Sequence, residues 1–282
     1  MIWALVNDPA DSKEFIRYTV LMAKDLHARM NVLYVQNPQA FPLGTPDSLG
    51  NEVVQVQENL REIASAAEKT VNRYIGEIEK EIQAEIPVEF QTEFGNASLI
   101  LKDKVLKGKE DMVMLQGKPE EAVWAKISTN MDIIRNVHCP VWIIPPHTKY
   151  RPLKHIIYAT DYQKEDIPML KRLIRLTRTY EPEITALHIV DNEDFEEKVR
   201  KAGFDEIIKQ KTGSDRISVQ TVADQEDLDV PEILNEFADR TDTDLVAVLK
   251  ENRHFLERMF KGSFTRKLIK QAQRPVLVFH EK

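Results

Sequence analysis

The feature that most constrains this chain is an ending that occurs twice. Arg135-Asn-Val-His-Cys-Pro-Val-Trp-Ile-Ile144 lies in register with Lys270-Gln-Ala-Gln-Arg-Pro-Val-Leu-Val-Phe279, with Pro140 over Pro275. Upstream, Asp111-Met-Val-Met-Leu115 matches Asp244-Leu-Val-Ala-Val248, and Ile2-Trp-Ala-Leu-Val-Asn7 matches Ile156-Ile-Tyr-Ala-Thr-Asp161. Each matched segment is short, apolar and rich in β-branched residues, as strands are. The segments between them are long and step by three or four, as helices do. Strands joined through helices are parallel, because a parallel pair needs a crossover and cannot be closed by a hairpin. The sequence therefore predicts an α/β fold written twice, each copy a five-stranded, mainly parallel sheet with helices on both faces, a three-layer α/β/α sandwich.

Taken in order, strands are expected at 2–6, 32–35, 88–92, 112–115 and 141–144 in the first copy. The second copy has them at 155–160, 184–190, 217–222, 245–249 and 276–279. Ser12 is expected to cap the first helix, whose apolar face runs through Phe15, Tyr18, Leu21, Met22, Leu26 and Met30. Residues 37–50, with their prolines and glycines, read as a loop. The longest helical pattern follows, from Val53 to Ile82, and Pro87 ends it. Packing against its own domain explains that helix, with its outer face open to a partner contact. Asn96 caps the next helix. Glu120–Asn136, Met169–Tyr180, Phe195–Ile208, Val230–Ala238 and Gly262–Gln271 are further helices. Pro145-Pro146 and the polar run to Pro152 read as a linker. The domains are thus 1–145 and 154–282.

Composition narrows the class. Apolar residues make up 42% and charged residues 30%, which suits a soluble α/β protein with a buried core. No run of 18 apolar residues is present, so no membrane span is expected. The N-terminus reads as a first strand with no basic region of a leader, and the single Cys139 fits a reducing cytoplasm. A net charge of −7 argues against nucleic acid as a partner. His138 and Cys139 are neighbours preceding a strand, and no spaced second pair completes a metal site, so none is expected. His188, within a strand, reads as a core or pocket-wall histidine. No nucleophile triad, paired-carboxylate motif or Gly-Lys-Ser phosphate loop is legible.

Ligands in such sheets bind beyond the carboxyl ends of the strands, near the switch in strand order. In the second copy that edge carries Asp161, Val190 and the loop after Leu249. Here the chain resembles the universal stress protein family in its tandem form, over nearly its whole length. The family's nucleotide-binding members carry Gly-x2-Gly-x9-Gly-Ser/Thr after the fourth strand. Counting back from Gly262-Ser263, the first two glycines fall at Leu249 and Asn252: the spacing is kept and two of three glycines are replaced. The resemblance implies a Rossmann-like, adenine nucleotide alpha hydrolase-like fold. It implies that Asp161 contacts the nucleoside, that Val190 and Val248 line the adenine, and that Gly262, Ser263 and Phe264 meet phosphates. It also implies pairing of the two units through their last strands, Val141–Ile144 and Val276–Phe279.

The first copy departs further. Asn7 replaces the acid, Gln116 stands at the first glycine with Gly117 beside it, and Ile127 replaces the last. No nucleotide is expected there. In the second copy, Leu is poor at positive φ and its side chain fills space a phosphate would use. Against that, seven Lys or Arg and two Glu lie between Lys250 and Lys270, a basic loop able to attract an anion. Two functions stay open: a non-catalytic stress-response binding protein with degenerate sites and no cofactor, or an ATP switch or slow ATPase using the second domain only. Ser263 and Thr265 read as helix-capping residues, with phosphorylation as the other reading. Protein partners are not identifiable, and homodimerisation stays open.

Overall fold

The computed structural model describes residues 1–36, 49–105, 111–117, 127–190, 192, 194–223, 229–250 and 272–280, with the backbone alone at 49–54 and 127–129. Its first half runs β1 (Ile2–Val6), α1 (Lys13–Asp25), β2 (Met30–Gln36), α2 (Leu49–Ile82), β3 (Val88–Phe94), α3 (Ala97–Lys104), β4 (Met112–Gln116), α4 (Ile127–Asn136) and β5 (Val141–Ile144). Its second half runs β6 (His155–Ala159), α5 (Asp166–Leu176), β7 (Glu183–Val190), α6 (Phe195–Thr212), β8 (Ile217–Ala223), α7 (Val230–Arg240), β9 (Leu245–Leu249) and β10 (Val276–Phe279). The expected alternation is thus present in both halves, as a mixed α/β fold with mostly parallel strands. The part of the predicted 120–136 helix before 127, and the whole of the predicted 262–271 helix, lie outside the described residues.

The chain divides into two compact units, Met1–Gln116 with Ser128–Val137, and Gly117–Ile127 with His138–Lys282. In the first, the strand order is β3-β2-β1-β4, all parallel. In the second it is β8-β7-β6-β9-β10, all parallel, with β5 added antiparallel beside β10. The same permutation in both halves is the three-dimensional form of the sequence repeat. β5 meets β10 as the resemblance implied, in the register Val141 with Val278, Trp142 with Leu277 and Ile143 with Val276. The compact units depart from the 1–145 and 154–282 division at this strand, which pairs within the second unit.

The central strands are buried on both faces, and so read as unbroken apolar runs without alternation. In the first unit, Ile2, Leu5, Ile16, Met30, Leu33, Val71 and Ile78 form the core. Helix α2 lies on its own unit through Ala67, Val71, Tyr74 and Ile78, and its Tyr74 hydroxyl donates to the Ala10 carbonyl at 3.1 Å. Ion pairs Lys13–Glu77, at 2.7 Å, and Arg17–Glu81 edge the same contact. Tyr158, Trp142 and Phe279 are fully buried in the second unit.

The helix ends follow the sequence with one correction. Asn96 caps α3 as expected, its side chain accepting from the N–H of Ser98 at 2.9 Å and of Leu99 at 3.2 Å. Asp229 and Glu232 form a reciprocal capping box on α7, and Gly213 (φ 64°) closes α6 in the left-handed conformation. Ser12 occupies the cap position of α1 but does not cap it with its side chain. Its hydroxyl donates back to the Pro9 carbonyl at 2.9 Å, a turn bond that leaves no role at the helix N–H groups.

The segment read as a linker is held down. Asp244, at the mouth of β9, accepts from the N–H of Lys154 (2.6 Å) and His155 (2.9 Å) and contacts Arg151. One buried carboxylate thereby sets where β6 begins. Asp244→Ala is expected to leave two N–H groups and a guanidinium unpartnered and to lower stability by about 2–4 kcal/mol, read as a shift in the urea unfolding midpoint.

Candidate functional site

In the second unit β6 lies between β7 and β9, so the strand order reverses beside it. The carboxyl ends of these three strands carry Thr160-Asp161, Val190 and Val248-Leu249, and all five residues are buried. The structure therefore brings Asp161, Val190 and Val248 to one edge of one sheet. Gly262, Ser263 and Phe264, with Asn252 and Thr265, lie outside the described residues.

Thr160 is the joint of the site. Its hydroxyl donates to Asp166 Oδ2 at 2.7 Å and accepts from the Tyr162 N–H at 2.9 Å. Its carbonyl contacts His188 Nδ1 at 2.7 Å. A carbonyl can only accept, which places the imidazole hydrogen on Nδ1. His188 Nε2 then faces Glu197 Oε1, on α6, at 3.5 Å. Two groups that both accept repel, so this contact is attractive only with one proton between them. Asp161 Oδ1 lies 3.4 Å from His188 Nδ1. Asp161 Oδ2 and Glu197 Oε1 are buried and find no hydrogen-bond partner among the described residues. Arg200 offsets this negative charge, reaching Glu197 at 3.3 Å and the Asp161 carbonyl at 3.4 Å.

Tyr162 completes the arrangement. It has φ of +59°, uncommon for an aromatic residue, and strain of that kind concentrates at functional sites. Its ring packs on His188 with centroids 4.5 Å apart and on Phe204 at 4.9 Å, and its hydroxyl lies 3.0 Å from Thr221 on β8. It spans from the end of β6 across β7 to β8. Tyr162, Asp166 and Glu197 were not singled out from the sequence. Asp166 and Glu197 carry no spacing signal, since each is one acid in the first turn of a helix, where acids are ordinary.

Asp166 is fully buried, with Tyr158 Oη donating to it at 2.8 Å, the Gln163 N–H at 3.0 Å and Thr160 from the other side. Burial pushes its carboxyl up to about 6 against these three bonds, helped by the charge of Asp161. The same burial, with Asp166 beside it, holds the Tyr158 hydroxyl well above its ordinary range.

The loop positions differ from a phosphate cradle in both halves. Leu249 pairs with Phe279, and the Lys250 N–H still donates to the Phe279 carbonyl at 2.9 Å, so the strand ladder runs through the first glycine position. In the first unit, Gln116 donates to the Asp11 carbonyl at 3.1 Å and its own carbonyl accepts from buried Asn130 at 3.1 Å. Gly117 is needed for a different close approach: its N–H donates to the Ile144 carbonyl at 2.6 Å, and a Cβ there would sit 2.9 Å from that oxygen. The side chain of Ile127 lies outside the described residues. His188 is a buried wall residue, as read, and Cys139 is buried. Among the described residues, no three His, Cys, Asp or Glu are arranged to hold a metal ion, and no helix is long and apolar enough to cross a membrane.

The sequence model of the universal stress protein family matches residues 152–280, the half that holds Thr160, Asp161 and His188. Residues 152–280 are thus similar in sequence to the universal stress protein family. The whole chain shares its fold with a universal stress protein of Archaeoglobus fulgidus DSM 4304, at 14% identity and a TM-score of 0.64, covering 99% of this chain and 98% of that one. A functionally unknown protein of Pseudomonas aeruginosa PAO1 is similar at 13% identity and a TM-score of 0.56, over 99% and 92%. At these identities the likeness speaks for fold alone, over both halves of the chain. No curated protein matches the sequence.

The Asp166 carboxyl gives a testable consequence. Its folded value of about 6 exceeds the ordinary 3.8, so the folded state holds this proton more tightly. Its contribution to stability is complete below about pH 4, fades as pH rises toward 6, and above that the ionised group costs on the order of 3 kcal/mol. Urea unfolding of wild type and Asp166→Asn from pH 4 to 7.5 should show wild type losing stability relative to the variant across that window. Parallel curves would remove Asp166 as the titrating group.

Proposed function

We propose that this chain is a tandem universal stress protein that acts through protein contacts and not through catalysis, with both nucleotide sites weakened and no resident cofactor. The observation that carries this reading is Leu249. At the first glycine position of the family's phosphate loop, the chain has a buried leucine within a continuing strand ladder. A phosphate needs the backbone to turn there and expose N–H groups, which glycine permits and a strand-bound leucine does not. In the first half of the sequence, Gln116 and Gly117 use the corresponding groups in protein hydrogen bonds. The expected partners are proteins, with neither nucleic acid nor membrane among them, and the expected setting is the cytoplasm.

One observation favours a second reading, ATP binding in the second domain with switching or slow hydrolysis. Asp161 Oδ2 is buried without a partner among the described residues, and a ligand hydroxyl or N–H would satisfy it. Val190 and Val248 flank it from the neighbouring strands.

The two readings separate in one experiment. The protein is purified, checked for co-purified nucleotide, and titrated with Mg-ATP in a calorimeter. The expected result is no stoichiometric heat up to about millimolar ATP. One equivalent bound at micromolar affinity, about −8 kcal/mol, and lost in Asp161→Ala, would replace the first reading with the second.

A further inference from the structure

Helix α6 is anchored to its sheet unevenly, and we propose that its first half is a proton-operated latch. It lies on the sheet while one proton sits between His188 Nε2 and Glu197 Oε1, and it is released when that proton leaves. The buried residues of α6 are Glu197, Phe204 and Ile208. Phe204 and Ile208 hold the second half by apolar packing. Ahead of them, from Phe195 to Gly203, Glu197 alone is buried. Apolar packing does not respond to pH, whereas a buried ionisable contact does. Gly203 falls where the two halves join, and among the described residues nothing lies within 4 Å of where its Cβ would be. A glycine inside a helix weakens it at that point, so the first half can move without the second.

The tautomer of His188 sets the contact that holds Glu197. Nδ1 donates to the Thr160 carbonyl at 2.7 Å, so a neutral ring turns a bare Nε2 toward Glu197 Oε1 at 3.5 Å. Glu197 Oε1 is buried and has no hydrogen-bond partner among the described residues. Two acceptors face each other, and only a donor between them makes the contact attractive. The described His, Cys, Asp and Glu side chains form no metal site, so the cation that suits this gap is a proton. Glu197 stands in the first turn of α6, where the helix dipole favours a carboxylate, and its own N–H donates to Asp194 at 2.9 Å. The proton therefore belongs on the imidazole side, facing an ionised Glu197.

The surrounding charges favour the same state. From the end of β6, Asp161 Oδ1 lies 3.4 Å from His188 Nδ1. From α6 come Glu197 and Arg200, whose guanidinium reaches Glu197 at 3.3 Å and the Asp161 carbonyl at 3.4 Å. From α5, Asp166 acts through Thr160, whose hydroxyl donates to it, and Tyr158 donates to it from behind. Tyr162 lays its ring on the imidazole, with centroids 4.5 Å apart. With a neutral ring, the two carboxylates beside the imidazole share one guanidinium, and one negative charge stays buried without compensation. A second ring proton balances the set. Its loss brings back both the excess charge and the repulsion, and both act on the one buried residue of the first half of α6. Arg200 moves with that half, so the Asp161 carbonyl loses its guanidinium. Proton uptake closes the latch, which is therefore closed at low pH and opens as pH rises through the imidazole range of about 5 to 8.

The latch does not depend on whether nucleotide binds. Amide hydrogen exchange at residues 196–202, divided by its intrinsic pH dependence, should rise by about fivefold or more between about pH 5.5 and 8.5 and stay flat at 204–210. Asp166→Asn is run alongside, because that carboxyl titrates in the same range, and the rise must persist in it. Glu197→Gln offers an N–H to Nε2 and still an oxygen to Arg200, so it should fold and keep exchange at 196–202 low and flat throughout. In the wild-type protein, ring ¹⁵N shifts should show His188 losing its Nε2 hydrogen and keeping its Nδ1 hydrogen across this range, a reading that needs no substitution. A ring that stays neutral from pH 5.5 upward overturns the proposal. So does exchange that does not change with pH, or a rise that vanishes in Asp166→Asn or survives in Glu197→Gln.

Discussion

Parallel pairing is the constraint from which the rest of this structure follows. Parallel strands cannot turn back directly, so every strand must be followed by a helix that returns the chain to the start of the next. All the strand carboxyl ends then open on one edge. In the second unit the order β8-β7-β6-β9-β10 makes β6 the strand from which the chain moves first one way and later the other. The residues just past β6 sit in the gap this leaves. Thr160, Asp161 and Tyr162 are there because of topology before any property of their side chains matters.

That position is costly, and the site shows how the cost is contained. Three carboxylates, Asp161, Asp166 and Glu197, are buried around one histidine. An isolated buried charge is not tolerated, so each must be hydrogen-bonded, paired or neutralised. Asp166 takes three donors and still has its carboxyl pushed up to about 6. Glu197 has Arg200 on one oxygen, and Asp161 keeps one oxygen with no partner among the described residues. The uneven outcome separates roles. Asp166 is satisfied from within and fixes the turn after β6, whereas Asp161 and Glu197 each keep one buried oxygen with no hydrogen-bond partner among the described residues.

Much of this was legible in the sequence, and the reasons differ by level. The matched endings around Pro140 and Pro275 carried the duplication, and the family resemblance added the meeting of Val141–Ile144 with Val276–Phe279, which covers two apolar edges. Asp161, Val190 and Val248 followed from register, since a strand end is a place as well as a residue. Tyr162 did not follow. Its ring reaches β7 and β8 because its φ is positive, and no local preference of tyrosine predicts that. Ser12 failed for the opposite reason: its cap propensity was real, but the Pro9 carbonyl competed for the hydroxyl. Burial of Glu197 was hidden because α6 mixes apolar and charged residues on both sides, with Val199 and Ile207 exposed among charges and Glu197 buried beside Phe204 and Ile208.

That mixture links the site to the surface. On most helices of such a sheet the apolar side faces inward, and outward residues are free to be polar. Helix α6 turns Glu197 toward His188 and leaves Phe195, Val199 and Ile207 outside, around a glycine its own fold does not use. Glu197 lies on the helix just inside Arg200, and Arg200 reaches both Glu197 and the Asp161 carbonyl. The residue that offsets charge in the buried cluster therefore also stands on the exposed face.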